Sequence, residues 1–279
     1  MAEILKKERL SDTVYRFRLY APAIAKKRKA GQFIILRPLD NSERIPLTIA
    51  NADALAGWIE IIFQAVGKTT MQLSELREGE SVLDLAGPLG KPTHIENFGR
   101  VLCIGGGVGA APLFPIISAL FTAGNDVTSI IGARSSGLII MKDDIAASSS
   151  RLFIATDDGS LGTKGFVSDV FKSLVESGER FDAAFVIGPP MMMKATCGLT
   201  VSSGIKTYAS LNPIMIDGTG MCGGCRVTVG GQTRFACVDG PEFDASQIEW
   251  DEMIMRLNSY KQFEAAARES HTCRLERVS

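Results

Sequence analysis

Residues 101–112, Val101-Leu102-Cys103-Ile104-Gly105-Gly106-Gly107-Val108-Gly109-Ala110-Ala111-Pro112, decide how the rest of the chain is read. The apolar start predicts a buried strand, the glycine run a turn, and the residues from about Pro112 to Ala123 a helix. A strand entering a helix through glycines begins a βαβ unit. Val127-Thr128-Ser129-Ile130-Ile131-Gly132, Leu152-Phe153-Ile154-Ala155 and Ala184-Phe185-Val186-Ile187 read as further strands. Residues 98–207 are therefore expected to form an α/β domain on a parallel sheet. Glycines allow a diphosphate to approach the backbone, and a helix N-terminus offers N–H donors and the positive end of its dipole. Gly105, Gly107, Val108, Gly109 and Pro112 are thus candidate nucleotide-binding residues. The spacing departs from G-x-G-x-x-G, and Gly132-Ala133-Arg134-Ser135 ends the second strand where a ribose-binding acid would stand. Arg134 suits a 2′-phosphate or a solvated loop, which leaves NAD(H) and NADP(H) both open. Gly188-Pro189-Pro190-Met191-Met192-Met193 follows a strand at its carboxyl end, where ligand crevices of such sheets open. Gly188 and Pro189 suit a flat wall beside a nicotinamide, while the methionines read more simply as core.

Upstream, residues 1–97 read as short strands between turns. Thr13-Val14-Tyr15-Arg16-Phe17-Arg18-Leu19 alternates as a half-buried strand does, and Gln32 to Arg37, Ile45 to Ala50 and Trp58 to Phe63 follow. This spacing predicts a small antiparallel barrel, closed by a short helix near Thr70 to Leu76. Within it, Arg44-Ile45-Pro46-Leu47-Thr48 offers an arginine for a diphosphate and a hydroxyl for a ring nitrogen, a pairing that suits a flavin. Gly67-Lys68-Thr69-Thr70 opens the short helix and could hold the same diphosphate through its backbone. Taken alone, either motif also reads as ordinary structure.

Downstream, Asp217-Gly218-Thr219-Gly220-Met221-Cys222-Gly223-Gly224-Cys225, with Cys237 beyond it, gathers three thiols and one carboxylate. A Cys-x-x-Cys pair can be a dithiol redox site, half of a zinc site or two buried thiols. Zinc usually takes a second pair, which is missing here. A redox pair opens a helix, whereas Arg226 to Phe235 reads as a hairpin turning at Gly230-Gly231. Thiolates held in a glycine-rich wrap are the usual ligands of iron–sulfur clusters. Asp217, Cys222, Cys225 and Cys237 are therefore read as ligands of a [2Fe–2S] cluster in residues 208–249. Residues 250–279 are polar and helix-prone. Met253, Ile254, Leu257, Tyr260 and Phe263 make an apolar stripe there, for packing on this chain or on a partner.

Composition narrows the classes. The 279 residues are 46% hydrophobic with a formal net charge of −1, an ordinary globular balance without the basic footprint of a nucleic-acid binder. The run from Val101 to Leu120 is broken by four glycines and two prolines, which argues against a membrane span. The opening residues lack the apolar centre of a signal peptide. Six cysteines, three of them clustered, do not form a disulfide framework. Cys103, Cys197 and Cys273 are expected to be structural thiols in a reducing cytoplasm.

In this order the motifs, together with Thr156-Asp157-Asp158-Gly159-Ser160, resemble the ferredoxin-reductase-like electron-transfer proteins. These are typified by the electron-transfer subunit of dihydroorotate dehydrogenase. The chain looks most similar among them to the small subunits of NADH-dependent ferredoxin:NADP oxidoreductases, the sulfide dehydrogenase type. The resemblance runs through about Asp251. It implies FAD on the barrel, with Ile62, Phe63 and Gln64 joining Arg44 to Thr48, Gly67, Thr69 and Thr70. It implies NAD(H) on the α/β domain, with Asp157, Asp158 and Met191 joining the glycine turns, and the cluster at the C-terminal end. It also implies a heterodimer with a larger flavin and iron–sulfur subunit, possible exchange with ferredoxin through that partner, and a part in flavin-based electron bifurcation. No side chain is required as a general base. The dihydroorotate dehydrogenase subunit carries Cys-x4-Cys-x2-Cys, and Asp217 stands at the first of those cysteines, as in the ferredoxin:NADP oxidoreductase small subunit. A further departure is Ile187, where many ferredoxin reductases have cysteine. The alternatives are the dihydroorotate dehydrogenase subunit itself and a non-catalytic metal-binding module.

Overall fold

The structure is a computed structural model that describes residues 1–276, with side chains through residue 270. The reading of Cys273 as a structural thiol lies outside the described side chains. The first layer comprises β1 (Ala2–Arg9), β2 (Val14–Tyr20), α1 (Pro22–Lys27), β3 (Phe33–Arg37), β4 (Ile45–Asp53), β5 (Trp58–Gln64), α2 (Lys68–Glu75), β6 (Ser81–Val82) and β7 (Asp84–Leu89). The sheet order is β6-β1-β2-β5-β4-β3-β7, with every pairing antiparallel. Leu83 alone separates β6, which pairs with β1, from β7, which pairs with β3, so this last segment brings the two sheet edges together into a nearly closed barrel. Closure removes the unpaired edges of an open sheet. The lumen is filled by Phe17, Leu19, Ile34, Leu36, Ile49, Ile59, Ile61 and Phe63. Phe17 meets Phe63 edge-on at 5.1 Å, a geometry worth about 0.5–1.5 kcal/mol beyond the area buried.

Strand β3 does not alternate; Phe33 to Leu36 are all buried. Ile34 and Leu36 point into the barrel, whereas Phe33 and Ile35 enter a second core with Leu211, Met215, Cys225, Cys237 and Phe243. Both faces of the strand are covered, the outer one by the cysteine region.

The second layer comprises β8 (Arg100–Gly106), α3 (Ala110–Thr122), β9 (Asp126–Ala133), α4 (Lys142–Ala147), β10 (Arg151–Thr156), β11 (Thr163–Lys164), α5 (Val167–Glu176), β12 (Ala183–Ile187), α6 (Pro190–Ser202) and β13 (Lys206–Ser210). The sheet order is β11-β10-β9-β8-β12-β13, and the pairings within it are parallel. The winding reverses direction at β8. Helix α3 is apolar nearly all round because it is wedged between this sheet and the barrel, burying Leu113, Ile116, Ile117 and Leu120. That accounts for the apolar run from Val101 to Leu120. Among the described residues no helix is long and apolar enough to cross a membrane.

The chain ends with the hairpin β14 (Arg226–Val229) and β15 (Gln232–Phe235), then β16 (Glu242–Asp244), α7 (Trp250–Asn258) and α8 (Lys261–Glu276). β16 adds antiparallel to β13, so the cysteine region supplies the last strand of the α/β sheet. The apolar stripe of the tail divides. Met253 is buried and Ile254 and Leu257 pack beside it, but Tyr260 and Phe263 are exposed, because a turn at residues 259–260 breaks the helical register between α7 and α8.

Candidate functional site

β8 and β12 are neighbours with opposite onward windings, so the crevice at their carboxyl ends is the switch point of the sheet. Each strand ends in one of the glycine turns singled out above. A Cβ on Gly109 would lie 2.7 Å from the Ile187 carbonyl oxygen and 2.8 Å from Gly188 Cα, so the two turns meet backbone to backbone. Met192 closes the space beside them, its Sδ occupying the place where a Cβ on Gly106 would stand. Met193 is fully buried, whereas Met191 is 64% exposed at the rim, so the three methionines have separate roles. Above Gly107 the space is open, and Gly107–Gly109 form one tight turn leading into α3, with Val108 and Pro112 half-buried beside it.

The end of β9 completes this face. Arg134 is exposed. The Asp157 N–H donates to the Ala133 carbonyl at 3.1 Å and the Asp158 N–H to that of Arg134 at 3.2 Å, so the acidic pair lies alongside the arginine. The Ser160 hydroxyl and N–H donate to the Asp158 carboxylate at 2.6 and 2.9 Å, holding it below the usual carboxylate range. Ser160 Oγ also accepts the Ser136 N–H at 2.8 Å, tying the two loops together, a contact the sequence spacing did not reveal.

On the barrel, the two flavin-type motifs come together. The Thr69 hydroxyl accepts the Glu43 N–H at 3.2 Å, Lys68 Nζ donates to the Asn41 carbonyl at 3.1 Å, and the Ser42 hydroxyl meets Gln72 Oε1 at 2.8 Å. Helix α2 thus holds the loop that carries Arg44. Asn41, Ser42 and Gln72 do this work without a sequence motif to announce them. The Thr70 hydroxyl is committed to the turn, accepting the N–H groups of Val66 and Gly67 at 3.1 and 3.0 Å. On β4, Ile45, Leu47 and Ile49 pack toward the barrel core, which leaves Pro46 and Thr48 on the outer face. On β5 the same alternation sends Ile62 and Gln64 outward, while the Phe63 ring lies in the lumen against Phe17 and Tyr15. Phe63 and Leu47 therefore present backbone, not side chain, to anything bound outside the barrel. Arg44 is half-exposed, with Nη2 3.7 Å from the Asp84 carboxylate, which Arg37 also binds at 2.8 Å.

The cysteine loop lies against this same part of the barrel. Gly218 has a φ of +75°, and a Cβ there would lie 2.6 Å from Leu89 Cδ1 and 2.8 Å from Ile35 Cγ1, so glycine is demanded twice over. A cleft of about 300 Å³ runs between loop and barrel, and Arg44, Asp84 and Asp217 all line it. The Sγ atoms of Cys225 and Cys237 are 3.2 Å apart and buried, whereas Cys222 is exposed. Backbone donors face the sulfurs: the Gly224 N–H points at Cys222 Sγ and the Cys237 N–H at Cys225 Sγ, each at 3.4 Å. Burial and the Cys225 contact push the Cys237 thiol up to about 12, so a metal entering here must displace a proton. The Asp217 carboxylate accepts the N–H groups of Thr219 and Cys222, both at 2.9 Å, and the first of these does most to hold it below the usual carboxylate range. Among the described residues no three His, Cys, Asp or Glu side chains converge tightly enough to hold a single metal ion. Three thiols and a carboxylate, with Cys237 returned beside Cys225 by the hairpin and N–H groups aimed at sulfur, fit the wider frame of an iron–sulfur cluster.

Glu242 was not anticipated. It sits on β16, largely buried where barrel, connecting segment and α/β sheet meet, and its Oε1 accepts the Thr93 hydroxyl at 2.7 Å. Burial pushes its carboxyl up to about 7. Burial, and after it Glu242, raises the Cys103 thiol.

Residues 212–249 match the family described as the iron–sulfur cluster binding domain of dihydroorotate dehydrogenase B. A Thermotoga maritima protein named as a homolog of the dihydroorotate dehydrogenase B (NAD(+)) electron transfer subunit is 46% identical over 94% of this chain and 92% of its own. The electron transfer subunit of Geobacillus thermodenitrificans is 31% identical over 88% of this chain and 96% of its own. Among solved structures, one of the NADH-dependent reduced ferredoxin-NADP oxidoreductase superposes with a TM-score of 0.92 at 44% identity, covering 97% of each chain. A 24%-identical cytochrome P450 reductase from Amycolatopsis shares the fold at a TM-score of 0.62, over 72% of this chain and 65% of its own. With its barrel, its switch-point crevice and its cysteine loop, the chain belongs to the family of dihydroorotate dehydrogenase B electron transfer subunits and their homologues.

Proposed function

We propose that the chain is the electron-transfer subunit of a flavin iron–sulfur oxidoreductase, linking NAD(H) to a partner flavoprotein subunit in a cytoplasmic heterodimer that carries out flavin-based electron bifurcation. The observation that carries this reading is the shared cleft: Arg44 on the barrel and Asp217 on the cysteine loop face one space, although they stand 173 positions apart in the sequence. A diphosphate bound by Arg44 and α2 would therefore lie beside the cluster loop.

In this arrangement Arg44, Pro46, Thr48, Gly67 and Thr69 hold FAD, with the backbones of Leu47, Ile62, Phe63, Gln64 and Thr70. Residues 1–97 form its domain. Residues 98–207 take the nicotinamide nucleotide through Gly105, Gly107, Val108, Gly109, Pro112, Arg134, Asp157, Asp158, Gly188, Pro189 and Met191. Residues 208–249 hold [2Fe–2S] through Asp217, Cys222, Cys225 and Cys237, and residues 250–279 form the tail. The bound cofactors supply hydride and single-electron chemistry. The protein's part is placement: Gly109 and Gly188 keep the crevice shallow, Arg44 offsets diphosphate charge, and N–H groups stabilise charged sulfur.

Cys225→Ser in the full chain tests the assignment. Iron and acid-labile sulfide should fall well below about two per flavin while flavin stays bound. An unchanged ratio of iron to flavin would refute the cluster site. A second reading, the dihydroorotate dehydrogenase subunit, is favoured by the match over residues 212–249. Native co-purification with a flavoprotein that oxidises dihydroorotate would select it; a partner that reduces ferredoxin would select the first.

A further inference from the structure

We propose that a cleft between the barrel and the C-terminal half of α3 is a second small-molecule site, separate from the nucleotide crevice, which binds an organic phosphate. The cleft measures about 890 Å³, within the range of sites for small ligands. Its walls are the segment after α1 (Arg28, Lys29), the connector between the two sheets (His94) and α3 (Phe114, Ser118). Ser118 lies about 13 Å along the helix from Gly109, at a rise of about 1.5 Å per residue, so this space and the switch-point crevice are distinct.

Its charge is one-sided. No lining residue is acidic. Arg28 and Lys29 end a run of four cations, Lys26-Lys27-Arg28-Lys29. Lys26, Lys27 and Lys29 are exposed, but Arg28 is half-buried. Neither the Arg28 guanidinium nor the Lys29 ammonium has a hydrogen-bond or ion-pair partner among the described residues, although 12 contacts of Lys or Arg with carboxylates form among those same residues. Partial burial of an unpaired cation is unfavourable, and here it lowers the affinity of Arg28 for its proton. A ligand of opposite charge would reverse that. Two unpaired cations match a dianion, and the planar fork of arginine suits phosphate oxygens. His94 lines the wall from the connector. Its Nε2 is 3.2 Å from Glu96, which is not among the lining residues, while Glu242 lies behind Thr93. Phe114, Pro92, Ala30 and Ala50 supply an apolar wall for the organic body. A ligand held here touches barrel, connector and α3 together, and so braces the two sheets against each other.

The test is calorimetry on the full, cofactor-loaded chain saturated with NADH, with phenyl phosphate as probe. The dissociation constant should lie at or below on the order of 1 mM. Arg28→Gln should weaken binding at least about tenfold, the scale of a lost charge-assisted contact. Ser118→Phe, which fills the cleft from α3 and leaves Arg28 in place, should abolish it. Arg134→Gln, at the nucleotide crevice, should leave it unchanged. Absence of binding at about 10 mM, loss in Arg134→Gln with retention in Arg28→Gln, or inorganic phosphate binding as tightly as phenyl phosphate would each overturn the proposal.

Discussion

Glu242 offers the sharpest link between a single side chain and a bulk measurement. Its folded-state carboxyl titrates near 7 instead of at the ordinary 4.5, because burial penalises the anion more than the Thr93 hydroxyl stabilises it. A group raised on folding contributes its full stability below the unfolded value and loses it as pH climbs through the folded one. For Glu242 that window is pH 4.5 to about 7. Each pH unit is worth about 1.4 kcal/mol, so the loss approaches about 3 kcal/mol above the window, a ceiling because water at the partly open side screens the charge. Glu242→Gln retains an oxygen for the Thr93 hydroxyl and removes the titration. Urea unfolding of both proteins between pH 4 and 8 should show nearly equal stability at the acid end. The variant should then be increasingly the more stable, by up to about 3 kcal/mol at pH 8. The reasoning fails if the difference between the two proteins does not change with pH, or if it grows toward acid.

Asp217→Cys should still assemble a cluster with about two irons per chain, and its reduction potential should fall, because a thiolate gives more electron density to iron than a carboxylate and favours the oxidised form. Potentiometry followed by electron paramagnetic resonance reads this, and an unaltered potential and spectrum would put the fourth ligand elsewhere. Gly109→Ala places a methyl 2.7 Å from the Ile187 carbonyl oxygen and forces two backbones apart. NADH affinity, followed by flavin absorbance, should drop roughly tenfold or more with flavin content unchanged, and an unaffected affinity would show that the close approach is dispensable.

The elements legible in the sequence were those whose signal is local. β8, β9, β10 and β12 are apolar runs in a parallel sheet covered on both sides, and the turn at Gly230-Gly231 declares its hairpin. β1 was missed because it buries little besides Ala2 and Ile4 and otherwise reads as a charged segment. Its strand character comes from pairing with β2 and with β6, where Ala2 meets Val82, which no local pattern encodes. β16 is three residues long and becomes a strand by joining β13. At the site, residue types with a distinctive chemistry stood out: Arg44, the glycine turns and the cysteines. The groups that position them did not. Asn41, Ser42 and Gln72 are ordinary polar residues until the fold places α2 beside the loop at residues 41–44. Leu47 and Phe63 sit within motif stretches, but the two-residue period of a strand turns their side chains inward.

Because β3 is buried on both faces, the cysteine region cannot be treated as a detachable cassette. A chain ending near residue 211 would strip the cover from Phe33 and Ile35 on the barrel wall and, by losing β16, leave β13 as an open edge ready to pair with another molecule. Transplanting residues 212–249 onto another scaffold would carry Met215, Cys225, Cys237 and Phe243 away from the apolar surface that completes their core. Inheritance and engineering alike must move barrel, sheet edge and cluster loop as one unit, and a change in any of the three is felt by the other two.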